Sequence, residues 1–107
     1  AAVAWIHEHA GGRLSVPIIS NAISVSRQRL ERHFRRHLGR TVLEEIRRRR
    51  VEVARRLLST TQLQLPEIAK RSGFTNPALL SVAFRREVGV PPGAYRRHAR
   101  GLGDAGD

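Results

Sequence analysis

A ten-residue helical pattern occurs twice in this chain, fifty positions apart. The first copy is LERHFRRHLG at residues 30–39, and the second is LSVAFRREVG at residues 80–89. The alignment pairs Phe34 with Phe84, and an Arg-Arg pair follows each Phe. A short apolar segment and a tight turn precede each copy, so the pattern predicts a helix-turn-helix unit used twice. The alternative is a bundle that contains two unrelated amphipathic helices.

Hydrophobic periodicity predicts helices along the chain and no convincing strand, so we expect an all-α fold of about seven helices. Ser15, Ser26 and Asn76 are predicted N-caps, because their side-chain oxygens can accept from a backbone N–H in the first turn. Glycines 39 and 89 are expected just past two helix ends. The predicted helices cover residues 2–9, a short segment after Ser15, 27–38, 42 to about 58, 64–72, 77–88 and 93–98.

Residues 41–44, TVLE, form a capping box that opens the longest predicted helix. On this helix we expect a buried side made of Leu43, Ile46, Ala54, Leu57 and Leu58. The helix also carries IRRRRVEVARR, at residues 46–56. Its arginines point around the circumference, so we expect a solvated face, with Arg50 packed toward a neighbouring helix. The alternatives are one or two phosphate contacts, a nuclear-localisation-like run or a lipid-binding strip.

The charge balance favours a polyanionic partner. Among 107 residues, 20 are Lys or Arg and 9 are Asp or Glu, which gives a formal net charge of +11. Nearly all of the cations are Arg, whose forked side chain suits phosphate and guanine edges. The alternative is a solvated surface in an organism that favours Arg codons. The 40% apolar content allows one compact domain or two very small ones.

On the first repeated helix, a wheel centred on Leu30 places polar side chains on the opposite face. Gln can read adenine and Arg can read guanine in a major groove, while further cations reach phosphates. The predicted base-contacting residues are Gln28 and Arg32, and the predicted backbone-contacting residues are Ser26, Arg27, Arg29, Arg35 and Arg36.

On the second repeated helix, a wheel centred on Leu80 exposes mostly apolar positions. Ala78 and Val82 are the predicted base-contacting residues, because they can touch thymine methyl groups but cannot form forked hydrogen bonds. The predicted backbone-contacting residues are Asn76, Ser81, Arg85 and Arg86. We therefore expect one helix that reads bases and a second that mainly adds affinity.

The sequence gives little indication of disulfides, metal binding or catalysis. The chain has no Cys, which excludes disulfides, thiolate zinc sites and a Cys nucleophile. His33 and His37 stand at i, i+4, a spacing that metal ligands use, but nothing completes a site and we expect partly buried structural histidines. No nucleophile motif, phosphate loop or carboxylate pair is present, so we expect no enzyme activity, no metal and no cofactor. Trp5 and Tyr95 are expected to close the two cores, with the Tyr95 hydroxyl at a helix end.

These residues resemble the DNA-binding domain of the AraC/XylS family of bacterial transcription regulators, from about Trp5 to Arg97. The most specific match is IAKRSGF followed by FRREVGVPPGAYR. WIHEHAGG and LERHFRRHLG are further similar to the xylose-operon activators of that family, whose sensor domain binds a sugar. Two positions depart from the family pattern. Val82 stands where many members carry Arg. Ser24 stands where a turn Gly is common, and the replacement of Gly by Ser costs little free energy if the φ of this residue is negative.

The resemblance implies a monomeric unit with two helix-turn-helix subdomains that place their second helices in successive major grooves. We expect subdomains at residues 1–40 and 61–100, a linker helix at 41–60 and a disordered tail at 101–107. Double-stranded DNA is the expected partner. The resemblance further implies RNA polymerase as a partner and a ligand-sensing domain that is absent from this chain. We expect the protein to be located in the bacterial cytoplasm, at the nucleoid. No membrane span or signal peptide is expected, and the chain is expected to be a piece of a longer protein. The alternatives are a nonspecific nucleic-acid-binding protein and a module that binds an acidic protein.

Overall fold

The computed structural model describes residues 2–101, and within them the chain folds into seven helices without a strand. The predicted tail, apart from Gly101, lies outside the described residues. The helices are α1 (Ala2–His9), α2 (Val16–Ala22), α3 (Arg27–Leu38), α4 (Val42–Thr60), α5 (Leu65–Arg71), α6 (Pro77–Val88) and α7 (Pro92–Ala99). The all-α prediction is confirmed, and the predicted bounds agree with these to within about two residues.

The helices begin where the sequence supplies caps. The N–H of Ile18 donates to Ser15 Oγ at 3.3 Å, and the N–H of Leu79 donates to Asn76 Oδ1 at 2.9 Å. In the predicted capping box, Thr41 N–H donates to Glu44 Oε1 at 2.7 Å and Glu44 N–H donates to Thr41 Oγ1 at 3.1 Å. Each cap satisfies a backbone donor that the helix itself leaves without a partner.

The turn between α2 and α3 corrects one expectation. Ser24 stands where a turn glycine is common, and a serine there was expected to cost little provided that its φ is negative. In the structure Ser24 adopts φ +56°, so the condition is not met. A left-handed serine costs about 1 kcal/mol. The turn is held by hydrogen bonds from Val25 N–H to the Ser20 carbonyl at 3.0 Å and from Ser20 Oγ to the Val25 carbonyl.

Two hydrophobic cores lie along the molecule, and α4 contributes to both. Val42 and Ile46 belong to a cluster with α1, α2 and α3 that includes the buried Phe34. Further along α4, Val51, Ala54 and Leu58 belong to a cluster with α5 and α6. The second cluster is built around Phe84, the repeat partner of Phe34. Each helix-turn-helix pair therefore packs on its own part of one long helix.

The prediction that Leu43 is buried is wrong, because this side chain is 49% exposed. Glu45, two residues further along α4, is buried and only 2% exposed. Its carboxylate lies 3.1 Å from His7 Nε2 and 2.8 Å from Arg40 Nε, the latter an ion pair whose angles fall short of hydrogen-bond geometry. A buried charge is tolerated only when it is paired, and α1 and the α3–α4 loop supply the groups that pair with Glu45.

None of the seven helices within residues 2–101 combines the length and the apolar character needed to cross a membrane.

Candidate nucleic-acid interface

The two repeated helices occupy equivalent places in their units. Helix α3 follows α2 after the turn at Ser24, and α6 follows α5 after a turn at Gly73, where φ is +92°. Each repeated helix ends at a left-handed glycine, with φ 69° at Gly39 and 95° at Gly89. Each also buries one side, at Leu30 and Phe34 in α3 and at Leu80 and Phe84 in α6, and leaves the other side toward solvent.

Helix α3 has a narrow buried stripe and a broad polar face. Leu30 and Phe34 are 2% and 0% exposed, and they are the only fully buried residues of this helix. The residues predicted from the wheel all lie at exposed positions: Ser26, Arg27, Gln28, Arg29, Arg32, Arg35 and Arg36. Gln28 and Arg32 line one shallow groove together with Arg27 and Glu31, so the two predicted base readers lie side by side.

Helix α6 presents a different surface at the equivalent positions. Val82 is 66% exposed, and Asn76, Ala78, Arg85 and Arg86 are also exposed, whereas Ser81 is only partly so. The exposed predicted residues are therefore brought to one side of α6, with apolar side chains where α3 carries Gln and Arg.

Sequence reasoning missed Leu79, which is 51% exposed. Leu79 and Val82 line a groove with Phe74 of the preceding turn, Arg47 of α4 and Arg86. A partial signal was available, since Leu79 lies about 100° from Leu80 on the helix and therefore falls at the edge of the face that Leu80 and Phe84 bury. The approach of Arg47 and Phe74 had no sequence signal, because it depends on how α4 packs against α6.

Several arginines are engaged inside the fold. Arg50 donates from Nε to the Ala10 carbonyl at 2.9 Å and from Nη2 to the Gly12 carbonyl at 2.8 Å. Partial burial lowers the pKa of Arg50 from its ordinary value. Arg50 is thus packed into the fold as predicted, but its partners lie in the loop that follows α1 and not on a neighbouring helix. The exposed Arg48, Arg55 and Arg56 form the solvated face of the same helix.

Arg96 closes the end of α4. It donates to the carbonyls of Leu58, Thr61 and Leu63 at 3.0, 3.0 and 2.7 Å. The pKa of Arg96 is lowered, first by burial and then by the neighbouring charge of Arg100. Because its guanidinium is held by these carbonyls, Arg96 belongs to the packing of α7 on α4 rather than to the exposed basic surface.

The predicted burial of His33 and His37 is wrong. Both are exposed, and their rings lie 4.4 Å apart on the surface of α3. The wheel failed because the buried stripe of α3 is only about one side chain wide. Among the residues that the structure describes, no group of three or more His, Cys, Asp or Glu side chains is placed to hold a metal ion.

The two aromatic residues predicted to close the cores do pack against them. Trp5 lies against the first cluster and stacks on His9, with 4.0 Å between ring centroids. Tyr95 lies against the second cluster, edge-on to Phe84 at 5.5 Å. Its hydroxyl accepts from Arg55 Nε at 3.4 Å, so it meets a side chain and not a helix end as expected.

Comparison with known proteins places this geometry in a family. The model of a helix-turn-helix domain family matches residues 19–98. The chain is 35% identical over 97 residues to a protein of Streptomyces lividans named as an AraC-like transcription regulator, covering 91% of this chain and 32% of that protein. It is 33% identical over 100 residues to the transcriptional activator AarP of Providencia stuartii, covering 94% of this chain and 74% of AarP.

A solved structure gives a close match to the whole arrangement. The DNA-binding domain of AdpA, a global transcriptional factor determined in complex with a target DNA, is 36% identical with a TM-score of 0.86. The match covers 95% of each chain. The chain spans about a third or less of the first three regulators that it matches.

The xylose operon regulatory protein of Escherichia coli K12 is 30% identical over 95 residues, covering 89% of this chain and 24% of that protein. Regulators with other names are at least as similar, so the xylose subtype is not singled out. Three findings agree on the family: the match to the helix-turn-helix model, the similarity to AarP over most of both proteins, and the similarity of the fold to that of AdpA. The chain belongs to the AraC-type helix-turn-helix family of transcription regulators.

Proposed function

We propose that this chain binds double-stranded DNA in a sequence-specific manner by inserting α3 and α6 into successive major grooves. One observation carries the proposal: two equivalent helices each expose a full side to solvent, on a frame that matches a DNA-bound domain with a TM-score of 0.86. The molecule is 51 Å long and 24 Å wide, so its length exceeds one turn of B-DNA, about 34–36 Å.

In this proposal α3 is the main reader. Gln28 hydrogen-bonds an adenine edge and Arg32 hydrogen-bonds guanine, the pairings that match their donor and acceptor geometry. The two side chains share one groove, and both are exposed. Adjacent readers on one helix face contact neighbouring base pairs, so α3 specifies a short, strongly constrained block.

Helix α6 reads by shape and apolar contact. Ala78 and Val82 meet thymine methyl groups, which require no hydrogen bond. The exposed Leu79 widens this apolar surface, and Arg47 and Arg86 flank it. The block under α6 is therefore weaker and thymine-leaning, with affinity supplied by the flanking cations.

Phosphate contacts set the register of both helices. Ser26 and Asn76 lie at the starts of α3 and α6, where backbone N–H groups attract phosphates. The remaining backbone-contacting residues in the proposal are Arg27, Arg29, Arg35, Arg36, Ser81, Arg85 and Arg86. The units that carry them are residues 1–40 and 61–100, with residues 41–60 as the linker helix.

In the intact regulator, we infer that this domain responds to a ligand-sensing domain and acts on RNA polymerase as an activator. The activator role is supported by the similarity to AarP, which is named a transcriptional activator. The proposed place of action is the bacterial cytoplasm, where the chromosomal DNA lies. These functions belong to the whole protein, and all of them depend on DNA binding by this domain.

The test is a selection of this chain against randomised duplex DNA at near-physiological salt, followed by sequencing of the bound pool. We expect a strongly constrained block with a weaker, thymine-leaning block about one helical turn (~10 bp) away. Tight binding at low salt without enrichment would contradict the proposal. In that case the net charge of +11 drives nonspecific binding through counterion release. Weak binding even at low salt would instead favour an acidic protein partner.

A further inference from the structure

The two helix-turn-helix units contact each other directly, in addition to sharing α4. The junction joins the segment after α1 to the turn between α5 and α6. A Cβ added to Gly11 would lie 3.0 Å from the carbonyl oxygen of Arg71, and one added to Gly73 would lie 2.3 Å from that of Ala10. Two glycines therefore allow backbones of the two units to approach more closely than a side chain would permit.

Arg50 of α4 closes this junction. Its two hydrogen bonds hold the Ala10 and Gly12 carbonyls at 2.9 and 2.8 Å. The same side chain lies over Gly73, because an added Cβ there would be 2.6 Å from Arg50 Nε. One guanidinium therefore holds the end of the first unit against the turn of the second.

The junction also lies at the start of the second recognition helix. Asn76 and Pro77, which open α6, line the same groove as Arg50 and Gly73. The Arg50 contacts therefore connect the end of the first unit to the segment that opens α6. The planar guanidinium holds two carbonyls in fixed directions, which the single ammonium of a lysine cannot do equally well.

We propose that Arg50 is a positioning residue that fixes the distance and angle between α3 and α6, and thereby the spacing of the two DNA blocks. Its consequence for DNA rests on the proposed function. Adding one base pair between the blocks moves the second block by about 3.4 Å and rotates it by about 34°. A rigid junction tolerates only one spacing, whereas a loose junction accepts several.

The first test needs no DNA. The sequence has no Cys, so His37→Cys and Glu87→Cys, both at exposed positions, allow one spin label on α3 and one on α6. Pulsed electron resonance should give one narrow distance distribution in the otherwise unchanged chain. Arg50→Gln should broaden it, and Arg56→Gln, an equal charge change in the groove beside Tyr95, should not. A broad distribution in the unchanged chain, or equal widths with and without Arg50→Gln, would overturn the proposal.

The second test measures spacing preference on the selected duplex and on versions with one base pair added or removed between the blocks. The unchanged chain and Arg56→Gln should prefer the parent duplex by about tenfold. Arg50→Gln should bind the three duplexes within about twofold of one another. An intermediate preference is expected for Arg50→Lys, which retains the charge and serves as the test if circular dichroism shows that Arg50→Gln is unfolded.

An unchanged tenfold preference in a folded Arg50→Gln or Arg50→Lys protein would rule out the positioning role. If the unchanged chain itself binds every duplex equally, the proposed function fails, and the label distances still decide whether Arg50 fixes the two helices.

Discussion

Two of the arginine environments in this chain differ sharply in the partners that the side chain meets. Arg50 and Arg96 are held by backbone carbonyls of distant segments, whereas Arg32 and Arg36 extend from an exposed helix face. Residue type alone does not separate these environments. The separation follows from packing, because a guanidinium near unsatisfied helix-end carbonyls gains charge-assisted hydrogen bonds that an exposed one makes only with water.

Among the exposed residues, Arg32 and Val82 should differ most in their effect on base preference. We expect Arg32→Ala to weaken binding to the selected duplex by about 1–3 kcal/mol and to relax its base preference, because a forked contact to guanine is lost. Val82→Ala removes only methyl contacts and should do much less. Binding titrations on the selected duplex and its single-base variants provide the measurement. Equal losses of specificity in the two variants would refute the division between α3 and α6.

Arg96 should matter for folding and not for recognition. Arg96→Ala removes a charged donor from three carbonyls near the end of α4, of which only that of Thr61 keeps another in Arg100, so the free energy of unfolding should fall by about 2 kcal/mol. The neighbouring, exposed Arg97→Ala makes the same charge change and should stay within about 0.5 kcal/mol. Urea denaturation of both variants tests this contrast, and similar values for the two would show that the carbonyl contacts stabilise nothing.

Helix α4 is the element on which both units are built, and its start is stabilised by the capping box. The pKa of Glu44 lies below its ordinary value of 4.5, first because its carboxylate accepts from the backbone N–H of Thr41. Burial, the next largest effect, opposes this lowering of the pKa, whereas the Thr41 hydroxyl and the charges of Arg47 and Arg35 add to it. The ionised form of Glu44 is therefore favoured by folding.

This cap should make the stability of the fold depend on pH. A carboxylate with a lowered folded-state pKa contributes fully above its ordinary value of 4.5, and the contribution is lost as pH falls through the lower folded-state value. We expect Glu44→Gln to be less stable than the unchanged chain at pH 7, with the difference shrinking below about pH 4.5. Thermal unfolding across this range gives the difference directly. A difference that persists undiminished at low pH would show that the charge of Glu44 is not what stabilises α4.

Over its full length, the molecule combines a basic surface with two recognition helices held by one long helix. The formal net charge of +11 makes the affinity for any DNA fall with salt, since each neutralised phosphate releases counterions. Sequence preference must come from the few side chains that reach base edges. The two contributions can be separated by measuring affinity against both salt and sequence.

Arg85 and Arg86 should contribute to the salt-dependent part. We expect Arg85→Ala and Arg86→Ala each to weaken binding to selected and unrelated duplexes alike and to reduce the slope of log K against log salt by about 1. Arg56→Ala, the same charge change on the face beside Tyr95, should leave the slope nearly unchanged. Unchanged slopes for Arg85→Ala and Arg86→Ala would contradict a phosphate role for these side chains.

Most helix boundaries and the exposed faces that carry the predicted readers of α3 and α6 followed from sequence, whereas the exposure of His33, His37 and Leu79 did not. Caps at Ser15, Ser26, Thr41 and Asn76 act within three residues, so their outcome depends little on distant parts of the chain. The stripe of Gln28 and Arg32 is exposed for a similar reason, because helical geometry sets it opposite Leu30.

Tertiary structure decided what depends on contacts between segments far apart in the chain. Glu45 can be buried because His7, 38 residues away, and Arg40 lie beside its carboxylate. The role of Arg50 depends on carbonyls 40 and 38 residues away, and the groove beside Leu79 depends on the approach of Arg47. Such contacts leave no periodic signal in the sequence. They form only when several helices pack at once, and the space and the polar partners that packing provides then determine which side chains are buried.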